Sequence, residues 1–288
     1  NLITSATFMT AMAPNLVIVA LAKTLHINIT WLGWFVAGVV PSVICLLATP
    51  YIIYKMYPPE VKETPNAKEW ANEELDKMGK MKISEKLMGL IFILTLVLWM
   101  LTSFIPAIEA TFVAFLAISL LLITGVLDTK DLLHETGAWN VLIWLSVLVY
   151  MAGQLSELGF IKWFSSSIGS ALHGISWVWV LAVLMIVYFY AHYFFASATA
   201  HVTAMYAAFV SVAVAAGAPA MLAAMLLAFT SAFMTSTTHY ANGPASVLSS
   251  SGYITQSEWW KMNFIMGIFY LLVYGIIGTL WMKVIGLW

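Results

Sequence analysis

The chain has 288 residues, of which 62% are hydrophobic and 9% charged, with a mean hydropathy of +0.93. A soluble domain of this size needs roughly a quarter of its residues charged, so a bilayer is the solvent that fits. A net charge of −1 without a single arginine excludes nucleic acid as a partner, because no basic face exists to neutralise phosphates.

Asn1 opens without a basic n-region, so no signal peptide is expected, and the start reads as cut from something longer. Apolar runs of spanning length follow in order: Trp31 to Tyr54, the pair Leu87 to Phe104 and Ala107 to Leu127 joined by a turn at Pro106, Val141 to Gly159, Ile175 to Phe195, Met221 to Thr235 and Phe264 to Val284. Ala204 to Ala216 is too short to cross alone and is expected to pair with Ile175 to Phe195 as a re-entrant hairpin, backbone that survives at membrane depth only where it is buried or lines a cavity. Cys45 lies in an apolar run and reads as a small core residue. Seven of the twelve lysines fall between Lys55 and Lys86, interleaved with seven acids. That segment is expected to be a cytoplasmic connector carrying a surface helix over Trp70 to Met81, which puts Trp288 on the opposite side.

An internal echo runs through the chain. Phe8-Met9-Thr10 recurs as Phe233-Met234-Thr235, and Trp31 in TWLGWFVAG has a counterpart in Trp259 of EWWKMNFIMG, at separations of 225 and 228 positions. Two matches nearly in register point to a duplicated unit. An odd number of crossings from Leu87 to Trp288 makes the repeats inverted, as in secondary transporters whose sites form where broken helices of two halves meet.

Polar residues interrupt the apolar sequence at AHYFFASATAHVTAMY and at FMTSTTHYANGPASV. Hydroxyls, Asn242, Gly243 and Pro244 are residues of an unwound helix, whose freed N–H groups can point at an anion. The alternative is packing: Ser and Thr in membrane helices bond carbonyls of the preceding turn, and this reading holds equally for Ser197, Thr199, Thr237 and Thr238. His26, His134 and His173 read as loop or packing residues, whereas His201 and His239 flank the breaks and are functional candidates, since ionisable groups at membrane depth usually are. Glu157, in the expected break GQLSELG, lies within the membrane or at its interface. No HExxH or other metal-ligand spacing appears, so neither a metal nor an enzyme built on His192, His201 and His239 is expected.

These stretches, with SATFMTAMAPN at the start, resemble the divalent anion/sodium symporter family, in its branch of 2-oxoglutarate/malate translocators and citrate/succinate or tartrate/succinate antiporters. The resemblance implies an all-α polytopic membrane protein, an inverted-repeat transporter working by an elevator movement as a homodimer. Residues 1–54 would be the tail of the first repeat, 55–86 the connector and 87–288 the complete second repeat, with its hairpin around 175–216 and its broken helix around 221–250. It puts the hairpin motif on Ser197-Ala198-Thr199, the second broken-helix loop on Thr237 to Pro244 and the first on Thr10 to Asn15. The implied substrate-binding set is Thr10, Pro14, Asn15, Ser197, Thr199, Thr237, Thr238, Asn242, Gly243 and Pro244, with His201 or His239 compensating charge. Sodium-coupled members have an asparagine where Ala198 stands; its absence removes an oxygen that a hard cation needs. The expectation is therefore sodium-independent exchange of di- or tricarboxylates such as malate, succinate, 2-oxoglutarate, tartrate or citrate, without a cofactor, in a bacterial inner membrane or a plastid inner envelope. Sodium-coupled symport is the alternative within the family, and a purely structural bundle the alternative outside it.

Overall fold

The computed structural model describes residues 2–59, 65–105, 107–160, 163, 167, 174–195 and 197–288. The expected turn at Pro106, residues 60–64 of the connector, His173 and Ala196 lie outside them. Among the described residues every regular element is a helix. In chain order these are α1 (Leu2–Thr7), α2 (Ala13–Thr24), α3 (Trp31–Met56), α4 (Ala67–Met78), α5 (Ile83–Leu101), α6 (Ala110–Ile123), α7 (Thr129–His134) and α8 (Thr136–Glu157). They are followed by α9 (Trp177–Tyr190), α10 (Ala198–Ala215), α11 (Ala220–Phe233), α12 (Gly243–Ser250), α13 (Gln256–Leu272) and α14 (Thr279–Val284). Tight 3₁₀ turns, Ala191–Phe194 and Met234–Ser236, extend α9 and α11, and a π segment, Val273–Gly278, joins α13 to α14. Among the described residues, five stretches are long and apolar enough to cross a membrane: Trp31–Met56, Ile83–Leu101, Trp177–Phe194, Ala198–Ala215 and Gln256–Val284.

The chain divides into two units, residues 54–142 and the remainder. In the former, α5 and α6 pack together, with the Trp99 indole donating to the Ala110 carbonyl at 3.1 Å. The surface helix α4 begins and ends three residues before the expected bounds; Gly79, at φ 70°, takes a conformation that other residues avoid and stops it.

The larger unit is built around α11. Every residue from Leu222 to Phe233 is buried, the mark of a helix apolar all round and enclosed by protein. α1, α2, α9 and α10 pack against it. Polar ties fix the packing: the Tyr206 hydroxyl donates to the Ala224 carbonyl at 3.0 Å, and Tyr188 donates to Ser231 Oγ at 2.9 Å, because the Ser231 proton is committed to the Leu227 carbonyl. Pro41 in α3 leaves a carbonyl without its helical donor; one residue earlier the Val36 carbonyl accepts from the Trp281 indole at 2.7 Å. α13 lies close against α9 because position 267 is glycine: a Cβ there would meet two Phe189 ring atoms at 2.5 and 2.6 Å.

α2 and α10 finish in the same way. In α10 the Gly217 and Ala218 N–H groups bond back to Val214 and Ala213, and in α2 His26 and Ile27 bond to Lys23 and Ala22. This double closure needs a left-handed residue after the cap, supplied by Gly217 at φ 96° in one helix and by His26 at φ 60° in the other.

Two expectations are corrected. α10 is not the 13-residue run Ala204 to Ala216 but 18 residues, because the Ser197 cap starts it at Ala198, six positions earlier, and it meets the length for a crossing. The break expected over GQLSELG is confined to its last two residues: α8 runs through to Glu157, which is exposed and accepts from Gln154 Nε2 at 3.1 Å, and a turn at Leu158 and Gly159, the latter at φ 80°, ends the helix.

Candidate functional site

Three helices of the larger unit begin around one cavity of about 280 Å³. Ser197 opens α10, its Oγ accepting from the Ala200 N–H at 3.2 Å. Asn242 opens α12, its Oδ1 accepting from the Ala245 N–H at 2.8 Å, with Pro244 in the first turn where no N–H is needed. α2 opens after Met12, with Pro14 in its first turn. Each of these residues lines the cavity, together with Thr199 and Thr235. No charged side chain lines it among the described residues. Each helix end supplies about half a positive charge and N–H groups without helical partners, so the cavity is electropositive without a cationic side chain among the described residues on its wall.

The two loops that frame it are tied in parallel ways. α11 stops in the Thr235-Ser236-Thr237 run, whose hydroxyls donate to the Ala232, Phe233 and Met234 carbonyls at 2.6 to 2.8 Å and so close the last turn. Asn242 Nδ2 then reaches back seven residues to the Thr235 carbonyl at 3.2 Å. In the amino-terminal loop Asn15 Nδ2 likewise reaches back seven residues, to the Phe8 carbonyl at 3.1 Å, and also to Ser5 at 2.8 Å. The echoed tryptophans both point into these loops, Trp31 donating to Thr10 Oγ1 at 3.3 Å and Trp259 to the Ser236 carbonyl at 3.0 Å.

Of the residues predicted from sequence, Pro14, Ser197, Thr199, Asn242 and Pro244 come together on the cavity wall. Thr10, Asn15, Thr237 and Thr238 do not line it. Thr10 receives the Trp31 indole, Gly243 is the first residue of α12, and Asn15, Thr237 and Thr238 are wholly enclosed. Asn15 Oδ1 and Thr238 Oγ1 have no hydrogen-bond partner among the described residues. His239 is half-buried against Tyr240. His201 is fully buried and pairs with His192, their Nδ1 atoms 3.2 Å apart. The sequence alone does not link His192 to His201, because a turn separates the two and no helical spacing relates them.

Helices that break and start around one small cavity in a membrane chain are the arrangement on which secondary transporters build their sites. The sequence pattern described as the sodium:sulfate symporter transmembrane region matches residues 1–288, and the chain belongs to that family, the divalent anion/sodium symporters. It is 48% identical to the putative malate transporter YflS of Bacillus subtilis (strain 168), over the whole of this chain and 60% of that protein. It is 41% identical to dicarboxylate transporter 1, chloroplastic, of Spinacia oleracea, over all of this chain and 51% of that protein. Identity to the L-tartrate/succinate antiporter of Escherichia coli (strain K12) is 33%, over 98% of this chain and 58% of that protein. The chain thus spans between half and three-fifths of the length of these relatives. It is a multi-pass integral membrane protein of a bacterial or plastid membrane.

Proposed function

We propose that the complete transporter carrying this sequence exchanges di- or tricarboxylates across its membrane, independently of sodium, and binds them in the cavity at the starts of α2, α10 and α12. The observation that carries this reading is the convergence of three helix starts on an uncharged wall. Ser197 and Thr199 bond one carboxylate, and Asn242 with the backbone at Gly243 bonds the other. Pro14 and Pro244 hold the two loops open. Thr10, Asn15, Thr237 and Thr238 shape those loops from behind. Cavities for small ligands begin near 300 Å³, so about 280 Å³ suits a short carboxylate. Binding by helix ends and hydroxyls alone is weak enough to allow release on the far side. His201, one helical turn from Ser197, and His239 compensate charge. Two inverted repeats, an elevator movement of one part against a fixed one and a homodimer complete the proposal.

Sodium-coupled symport is the second reading. It is favoured by Asn15 Oδ1 in the first turn of α2 and Thr238 Oγ1 after α11, buried oxygens without hydrogen-bond partners among the described residues, which are ligands of the kind a hard cation takes. Ala198 on the cavity wall speaks against it. The test is uptake of labelled succinate into proteoliposomes holding the complete transporter, with or without unlabelled dicarboxylate inside and with sodium or choline outside. Uptake that needs internal substrate and ignores sodium is expected. Dependence on sodium would give the second reading, and no uptake of any dicarboxylate would remove both.

A further inference from the structure

His192, in the turn after α9, and His201, in the first turns of α10, are both fully buried. Their Nδ1 atoms are 3.2 Å apart, while the ring centroids are 5.3 Å apart with planes 27° from parallel. Centroids so much further apart than the nitrogens belong to rings meeting edge to edge, not face to face. The contact is therefore an in-line N–H···N hydrogen bond, with one ring donating from Nδ1 and the other accepting there. The donor ring is left with a bare lone pair on Nε2, and the acceptor ring carries its own proton on Nε2. Neither Nε2 has a hydrogen-bond partner among the described residues.

A second observation says which charge the place is built for. The His201 ring packs against two aromatic rings, Phe195 at 4.4 Å and Tyr188 at 4.5 Å between centroids. Aromatic rings this close attract a cation. The titratable groups around the pair are few. α9 contributes Tyr188, whose proton goes to Ser231, and α10 contributes Tyr206, whose proton goes to the Ala224 carbonyl. The 3₁₀ turn carries Tyr193, whose carbonyl accepts from Tyr240 next to His239. No lysine or carboxylate occurs in α9, α10 or α11. On the helices packed outside them, Lys23 is exposed in the last turn of α2, Lys261 is exposed on α13, and Glu258 caps Thr255 at the start of α13.

We propose that the His192–His201 pair is a proton-binding site that loads one proton when a carboxylate enters the neighbouring cavity, so that the transporter carries a proton together with its anion. The inference rests on the carboxylate reading above. In the loading step the bare Nε2 lone pair forms an N–H bond with a proton from hydronium, whose O–H bond breaks and which leaves as water; nothing is oxidised or reduced, and the pair gains one positive charge. A second proton would set two Nδ1–H groups against each other across 3.2 Å, so the capacity is one. His201 is one helical turn from Ser197 on the cavity wall, close enough for a bound dianion to favour the charged pair. By linkage the loaded pair favours the dianion to the same degree.

The test is isothermal titration of the purified complete transporter with succinate, in buffers of different ionisation enthalpy, so that the protons taken up per ligand are counted. Near one proton is expected above the loading range of the empty pair. There wild-type affinity falls up to tenfold per pH unit, while in the double variant H192N/H201N uptake disappears and affinity no longer changes with pH. Binding heat without proton uptake in the wild type, or uptake that persists in the double variant, overturns the proposal and leaves the carboxylate reading intact. An absence of binding heat overturns both. A readout independent of any variant is nitrogen magnetic resonance of the histidine-labelled wild type. The coupling across the N–H···N bond identifies the pair, and saturating succinate is expected to move its bare Nε2 into the protonated range; an unshifted signal refutes the site.

Discussion

Replacing Asn242 by aspartate separates what the site does for the fold from what it does for an anion. The cap survives, because a carboxylate oxygen still accepts the Ala245 N–H that Asn242 Oδ1 receives at 2.8 Å, and aspartate caps as well as asparagine. The Nδ2 bond to the Thr235 carbonyl is lost, at about 1–3 kcal/mol, offset by up to about 1 kcal/mol from a negative charge at a helix start. Binding suffers far more. A new charge on the cavity wall about 5 Å from a substrate carboxylate repels it by about 3 kcal/mol at an effective dielectric of ~20, roughly 200-fold in affinity. Asn242→Ala behaves oppositely: it loses both cap and tie, about 2–4 kcal/mol of stability, yet adds no charge and weakens binding only about tenfold. The expected order in thermal stability is therefore wild type, Asp, Ala, and in succinate affinity wild type, Ala, Asp. Both are read on detergent-purified protein, by melting and by calorimetric titration. A folded Asp variant that binds succinate within fivefold of wild type would refute the assignment of this cavity to anions.

Thr199→Val keeps the side-chain shape and the backbone carbonyl that accepts from Thr203 at 2.8 Å, so melting should not change while succinate affinity drops about five- to tenfold. Unchanged affinity would move the ligand elsewhere. Ser197→Ala should lower both, with about 1 kcal/mol lost from the start of α10. Gly267→Ala forces the buried Phe189 ring aside, and overpacking of about 1–3 kcal/mol outweighs the roughly 1 kcal/mol gained in helix propensity. The melting temperature should fall and recover in the double variant with Phe189→Leu; a rise in the single variant would mean that α9 and α13 do not touch there. His26→Gly relieves a left-handed residue and should raise stability by about 1 kcal/mol, an expectation that a lower melting temperature would contradict.

Much of this was legible in the chain because hydropathy over a spanning length is a strong signal. Trp31–Met56 departs from its expected end by two residues only. The ends that moved are those where polar residues are helical. α13 starts at Gln256, eight residues before the apolar run, because Thr255 and Glu258 form a reciprocal cap that reads as loop in a hydropathy trace. Ser197 does the same for α10. The convergence of Ser197, Thr199, Asn242, Pro244 and Pro14 followed the resemblance, whereas the internal echo was visible in the residues and reappears in the geometry as the two asparagine ties and the two indole bonds. The histidine pair was hidden. His192 and His201 are nine residues apart across a turn, and only folding that turn brings their nitrogens face to face.

The enclosure of α11 has a consequence for how the chain is assembled. Of its neighbours, α1, α2, α9 and α10 precede it in the chain, while α13, the π segment and α14 follow, so during synthesis it emerges after one part of its surroundings and before the rest. A 14-residue helix carrying Thr230 and Ser231 is a poor candidate to enter lipid unaided. Delivered against walls already in the membrane and closed over by the α13 to α14 segment that follows, it has no lipid-facing side to satisfy. Substitutions around its whole circumference should therefore be rejected during biogenesis, with none of the permissive stripe that a peripheral helix displays.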